Sequence, residues 1–160
     1  MSEFEITRLA EDNHPWASNL IRDRWGSTRV ISCGRVFQAD TLPGFVATCD
    51  GTPVGLVTYN LSADECEIIT LDSIMERAGA GTSLIEAVKV VAVRHKCRRI
   101  WLVTTNDNTA ALRFYQKRGF NLKIVYPEAI TKARTLKPEI PKLGIDDIPI
   151  RDEIELEMML

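Results

Sequence analysis

The stretch CEIITLDSIMERAGAGTSL, residues 66–84, constrains the fold of this chain more than any other. Residues 66–71 are β-rich and mostly apolar and read as a strand. Gly79 and Gly81 follow with only Ala80 between them. From Thr82 the period changes, and Leu84, Ile85, Val88, Val91 and Ala92 fall on one helical face. A strand that ends in a glycine-rich turn and opens a helix presents backbone N–H groups with no partner inside the helix. The helix dipole adds partial positive charge there, and glycine lets the backbone approach a ligand with no Cβ in the way. Such a terminus is an anion site, usually for phosphate; a tight turn packed for its own sake is the competing reading. Neither standard phosphate motif is present. A P-loop needs Gly-Lys-Ser/Thr, whereas Gly81 is followed by Thr82 and Ser83, and Leu84 stands where a dinucleotide fingerprint has its third glycine.

The rest of the chain sets bounds. Its 160 residues, 45% hydrophobic and 26% charged, suit a single soluble domain spanning residues 1–160. A net charge of −2, with both signs interleaved, argues against a nucleic-acid partner. No apolar run reaches the length of a membrane span, and no basic-then-apolar leader opens the sequence, so the expected compartment is the cytoplasm. Cys33, Cys49, Cys66 and Cys97 form no C-x-x-C pattern; they are expected to be reduced thiols, mostly small buried hydrophobes, and no metal site is expected.

In chain order, residues 4–8 alternate as a short first strand. Asp12 or Asn13 can cap a helix with Pro15 in its first turn, running to about residue 24 with Trp16, Leu20 and Ile21 inward. His14 beside that cap is expected to bond locally. Residues 26–43 read as irregular, with a short strand at 30–31 or 36–37. Arg35 lies there between Trp25 and Phe37; it can meet a substrate, or pack its stem on a ring. Residues 45–49 and 54–59 are strands joined by the turn Asp50-Gly51-Thr52-Pro53, and a turn at 61–64 leads into the strand at Cys66, giving an antiparallel meander. The helix from Thr82 should end near Lys96, with His95 packed or terminal. The apolar run 100–104 reads as a central strand, so residues 66–104 form a right-handed parallel crossover. In NDNTAALRFYQKRGF, residues 106–120, Asn108 caps a helix. Asn108, Leu112 and Tyr115 share one stripe, and Gly119 ends the helix in the left-handed conformation. Phe114 and Tyr115 can equally be two core aromatics. A further strand runs from Phe120 to about Tyr126.

These two halves in this order, a strand entering G-x-G and a helix, then N-D-N-x-x-A-x-x-F-Y-x-x-x-G-F, resemble the GNAT family of N-acetyltransferases over roughly residues 45–126. The tail segments LKPEIP and IPIRDEIELE resemble a poorly characterised microbial subgroup of that family. The resemblance implies an α/β (α+β) fold: a mixed, V-splayed, seven-stranded sheet with helices on both faces. It implies acetyl-CoA as cosubstrate, with the pyrophosphate on the backbone amides of Arg77, Ala78, Gly79, Ala80, Gly81 and Thr82. The pantetheine arm would lie in the splay along Leu71 and Ser73, with Asn108 and Tyr115 carrying the family's second-motif roles. One position departs: Glu76 stands where the family loop usually begins with Gln or Arg, and Arg77 comes one residue late.

The implied chemistry is direct attack of a primary amine on a thioester. A lysine-like amine, with a pKa of about 10.4, is protonated at neutral pH and needs a base. The oxyanion needs N–H donors, which a bulged strand can supply. The leaving thiolate needs a proton, and Tyr115 is the candidate general acid. Glu67, Asp72 and Glu65 are the candidate bases. Glu67 may equally be read as a solvated strand residue, and Asp72 as a partner of connector backbone. Expected partners are acetyl-CoA and an amine acceptor, small molecule or peptide, with a homodimer also open. Another acyl-CoA donor, or a CoA-binding sensor or interaction domain without catalysis, are alternative readings.

Past Tyr126, Pro127 can start a helix to about Leu136 with Ile130, Ala133 and Leu136 inward, and Pro138, Pro141 and Pro149 bound a loop. Glu153, Glu155 and Glu157 then alternate with Ile154, Leu156 and Met158, a period of two that reads as a strand with one buried face. The long connection at 127–149 is expected to wall the acceptor site, together with the stretch around residues 25–37.

Overall fold

The computed structural model describes residues 4–74 and 79–160. Among them the sheet has the order β1 (Glu5–Arg8), β4 (Gly44–Cys49), β5 (Thr52–Ser62), β6 (Glu65–Ser73), β7 (Arg99–Thr105), β9 (Glu153–Met159), β8 (Asn121–Tyr126). β2 (Arg29–Ser32) and β3 (Arg35–Gln38) form a separate hairpin. The helices are α1 (His14–Trp25), α2 (Ala80–Arg94), α3 (Thr109–Lys117) and α4 (Ala129–Ala133). This is the mixed seven-stranded architecture expected from the sequence.

The β4–β5–β6 meander turns more tightly than its sequence suggests. Asp50 and Gly51, with φ of 51° and 78°, make a two-residue turn closed by Cys49 and Thr52. Both central residues of such a turn need positive φ, which Asp-Gly supplies. Pro53 therefore lies inside β5, opposite Thr48, where the register shifts. The β6–α2–β7 unit is the parallel crossover, and α2 begins at Ala80, two residues earlier than the apolar stripe implies.

Helices cover both faces. On one, α2 buries Leu84, Ile85, Val88 and Ala92 with Val57, Ile68, Ile100 and Leu156, and Tyr115 and Phe120 close that core. On the other, Ala17, Leu20 and Ile21 of α1 pack on Val46, Leu56 and Ile69. No side chain caps α1; Asp12 and Asn13 belong to a single 3-10 turn before it. The His14 Nε2 bonds the Asp40 carbonyl at 2.8 Å, a tertiary contact where a local one is expected. Residues 26–43 are less irregular than they read: both candidate short strands form, and Val30 pairs with Phe37. Cys66 and Cys97 are buried, Cys33 and Cys49 half-buried, and all four are free.

The C-terminal part corrects two expectations. Ile130 and Ala133 are buried, but Leu136 is 48% exposed because the helix stops at Ala133 and the chain turns away. β9 is inserted between β7 and β8 and has no solvated face: Glu153 and Glu155 are 3% and 4% exposed. A strand with neighbours on both edges lies inside the sheet, and the hairpin covers its polar side.

Residues 127–149 are tied down at several points. Ile130 and Ala133 pack with Ile150 and Ile31 of the hairpin. Lys137 Nζ donates to the carbonyls of Trp25 and Arg29, 2.8 Å each. The buried Asp107 carboxylate accepts the Ile145 N–H at 3.0 Å and the Thr105 hydroxyl at 2.5 Å. Gly144 lies against Asp107 and Ile150 so closely that any Cβ would collide with both. Gly144→Ala is therefore expected to lower stability by about 1–3 kcal/mol, read as a fall in Tm, since overpacking forces the anchor apart. An unchanged Tm would show that this anchor does not hold the segment.

Candidate functional site

The sheet opens along one seam. β6 and β7 pair in parallel from Glu65↔Arg99 to Ile68↔Leu102 and no further, although β6 continues to Ser73 and β7 to Thr105. On its other edge β7 stays paired with β9 along its whole length. At the same point β6 bulges: Tyr59 pairs with Ile68 and Thr58 with Thr70, leaving Ile69 as the extra residue. A bulge bends its strand and increases the local twist, which carries β6 away from β7. The edge of β6 past Ile68 thus faces a V-shaped slot with no strand partner among the described residues. Leu71 lies on that edge, and Ser73 ends the strand, paired with Gly55 and accepting from Arg24 at 3.5 Å.

The N-terminus of α2 stands at the wide end of β6. Arg77 and Ala78 lie outside the described residues. Gly79 has φ of 91°, a left-handed cap that favours glycine. Among the described residues Ser83 is the first to bond back, to the Gly79 carbonyl at 3.1 Å, and the N–H groups of Ala80, Gly81 and Thr82 have no helical partner there. Gly81 has a packing reason beyond ligand approach: a Cβ there would press on the Phe114 ring of α3. The Thr82 hydroxyl accepts from Arg118 Nε at 2.8 Å, and the Arg118 guanidinium lies 3.7 Å from the Phe114 ring centroid. Arg118 places a cation at this terminus, a role hidden in the sequence because a basic residue ending a helix already has a dipole to complement.

α3 supplies the next groups. The Asn108 Oδ1 accepts the Ala111 N–H at 3.2 Å, so Asn108 is the expected cap. Its neighbours in the NDN motif face the other way. Asp107 anchors residue 145, and the Asn106 Oδ1 accepts the N–H groups of Arg151 and Asp152, each at 3.0 Å. Tyr115 is buried edge-on between Phe114 and Phe120, at 5.3 and 5.5 Å. Burial foremost, and then the nearby Asp72 charge, push its phenol far above the ordinary tyrosine range, so it holds its proton. The core-aromatic reading of Phe114-Tyr115 is met, and the buried phenol keeps its proton.

The face of β6 on the α1 side is acidic. Glu67, a candidate base with a solvated strand residue as the alternative reading, is 2% exposed. Its Oε2 accepts the Ser32 hydroxyl at 2.5 Å and its Oε1 accepts Arg35 at 2.6 Å. Burial pushes its pKa above the ordinary carboxylate value despite both bonds. Asp72 is half-buried, accepts the Trp25 indole N–H at 2.9 Å, and is likewise raised by burial. It bonds a side chain of α1; the connector backbone at 75–78 lies outside the described residues. Glu65 is committed to Arg98 and Arg99, both at 2.7 Å. Arg35 packs on rings, one of its two expected roles, 5.1 and 5.3 Å from the ring centroids of Phe37 and Trp101, and it also pairs with Glu67. A cavity of about 150 Å³ beside it is lined by Asn60, Glu65, Glu67 and Trp101 among others. Among the described residues no group of three or more His, Cys, Asp or Glu can hold a metal ion, and no helix is long and apolar enough to cross a membrane.

A slot between two diverging parallel strands, a donor-rich helix terminus at one end and acid–base groups across it define a particular enzyme architecture. The family model described as the acetyltransferase (GNAT) family matches residues 6–120, and the chain belongs to that family. It is 43% identical to the uncharacterized protein YdhI of Bacillus subtilis (strain 168), over 89% of this chain and 92% of that one. Its fold is similar to that of an IAA acetyltransferase from Bacillus cereus ATCC 14579, with TM-score 0.75, 19% identity, and 99% and 100% of the two chains covered. It is also similar to a Bacillus subtilis acetyltransferase solved in complex with CoA, with TM-score 0.71, 17% identity and 99% of each chain covered.

Proposed function

We propose that this protein transfers an acetyl group from acetyl-CoA to a primary amine by direct attack. The observation that carries this reading is the edge of β6 from Ile69 to Asp72, to which no strand among the described residues adds on the β7 side, with a protonated Tyr115 on one face of the sheet and Glu67 on the other. The CoA held by the structurally similar Bacillus subtilis acetyltransferase supports it. The amides of Gly79, Ala80, Gly81 and Thr82, with Arg77 and Ala78 before them, hold the pyrophosphate. Leu71 and Ser73 offer backbone to the pantetheine amides, and Asn108 borders that arm. Glu67, or Asp72 in its place, accepts the proton of the attacking ammonium. N–H groups at the β6 bulge stabilise the oxyanion as the new C–N bond forms. Tyr115 donates its proton to the thiolate as the C–S bond breaks. The packing of residues 127–149 on the β2–β3 hairpin supports their role as a wall of the acceptor side.

The test is thiol release from acetyl-CoA against a panel of amines. Release that depends on the amine is expected; CoA binding with no release for any amine would instead make the protein a sensor. The pH profile then tests the base. A base works when deprotonated, so the rate falls as pH drops through its folded-state pKa, and burial places the Glu67 limb above the ordinary carboxylate value. Glu67→Gln is expected to abolish that limb, and an unaltered limb would remove Glu67 from the mechanism.

A further inference from the structure

The acceptor side of the slot holds a carboxylate oxygen that the protein itself leaves unanswered. Glu67, Glu153 and Glu155 are all more than nine-tenths buried. Glu155 accepts from Arg99 at 2.8 Å and from the Tyr126 hydroxyl at 2.7 Å. Glu67 has Ser32 and Arg35. Among the described residues Glu153 receives only the Cys33 N–H, at 3.4 Å on Oε2, and its Oε1 is buried with no hydrogen-bond partner. Buried carboxylate oxygens are almost always satisfied, and leaving one bare costs the desolvation of the group.

Its location points to a ligand. Glu153 pairs with Thr105 at the C-terminal end of β7, one strand beyond the β6–β7 slot, on the face that the hairpin tip covers. Glu67 stands on β6 at the narrow end, and its charge and that of Arg35 both act on Glu153. Everything the β2–β3 hairpin tip presents to these carboxylates is a donor: the Ser32 hydroxyl, the Cys33 amide and the Arg35 guanidinium. The tip is a two-residue turn with φ of 50° at Cys33 and 76° at Gly34. Arg35, held by a carboxylate between two aromatic rings, shows that this face accommodates an organic cation.

We propose that the amine acceptor is a small aliphatic diamine or polyamine, whose reacting amine lies beside Glu67 and whose second ammonium is taken by Glu153. This rests on the acetyl-transfer reading above. The second ammonium supplies the N–H donors that Oε1 lacks, and the hairpin tip lifts to admit it. An acceptor with a carboxylate near its amine would instead face three buried carboxylates and is excluded by repulsion.

The experiment titrates putrescine, and separately butylamine, into the CoA-saturated protein by calorimetry. Putrescine is expected to bind at least about 10-fold more tightly than butylamine. In Glu153→Gln that ratio should fall towards one, and Glu153→Asp should restore part of it. Removing an unpaired buried charge should leave the Tm of Glu153→Gln no lower than that of the unaltered protein, which separates recognition from support of the fold. Equal affinity for the two amines, or a ratio that Glu153→Gln leaves unchanged, overturns the inference. Putrescine binding without thiol release, while other amines of the panel do release thiol, overturns the inference and leaves the transfer reaction standing; no release from any amine would sink the transfer reaction and leave only a diamine site at Glu153. Release to butylamine as efficient as to putrescine would likewise overturn the inference and leave the transfer reaction standing.

Discussion

Turnover of the Tyr115→Phe protein is expected to fall by about 10²-fold or more, with CoA affinity nearly unchanged. The ring contributes packing and the hydroxyl contributes chemistry, and the two separate cleanly at this position. Phe keeps the edge-on contacts with Phe114 and Phe120, so the α3 side of the core should survive. Only the donor disappears. Its pKa, raised by burial and then by Asp72, keeps the phenol protonated across the neutral range, so no loss of acid is expected as pH rises through neutrality. Steady-state kinetics and calorimetry on the same preparation decide the matter. Equal turnover in both proteins would show that water or another group protonates the thiolate, and a parallel loss of CoA affinity would make Tyr115 a binding residue.

Arg99→Ala is expected to destabilise the fold by about 3–5 kcal/mol, the largest stability effect of any single truncation considered. Arg99 Nε bonds Glu65 at 2.7 Å, and Nη1 bonds Glu155 at 2.8 Å and Glu157 at 2.9 Å. The guanidinium also lies 4.8 Å from the Trp101 ring centroid. Glu65 keeps Arg98 and the half-exposed Glu157 keeps Lys123, but the buried Glu155 would retain only the Tyr126 hydroxyl. The penalty therefore comes mainly from stranding a buried charge, not from losing attraction. Pairing Arg99→Met with Glu155→Met should recover much of the loss, because an apolar pair needs no compensation. Chemical denaturation of the single and double variants gives the answer. A double variant as unstable as the single one would mean that the network is worth more than its desolvation.

Backbone periodicity was the most legible part of the sequence. The meander, the parallel crossover and the Asn108-capped helix all follow from alternation, apolar runs and caps. The face of β9 was not legible. Glu153, Glu155 and Glu157 alternate with apolar residues as a solvated edge would, and alternation shows that two faces differ without saying what lies over either. The β2–β3 hairpin was half-hidden because strands of four residues are too short to establish a period. Asn106 and Asp107 of the N-D-N motif have no local role in the sequence, yet both are tertiary anchors reaching across the chain to residues 145–152. Gly81 was read as room for a ligand, and the structure adds the Phe114 ring as a reason for glycine. In each case the missing information was which distant segment packs against the residue, and local pattern does not carry it.

The parting of β6 from β7 also bears on how the protein keeps itself folded. Among the described residues no strand pairs with β6 on the β7 side from Ile69 to Asp72, and such an edge is the kind that recruits other chains. A ligand that binds along it only in the folded state acts as the missing strand and adds its binding free energy to the stability of the whole molecule. At a hundredfold excess over Kd the gain is about 2.7 kcal/mol. Resistance to heat and to proteolysis should then rise and fall with CoA concentration, making the lifetime of the protein a readout of cofactor supply.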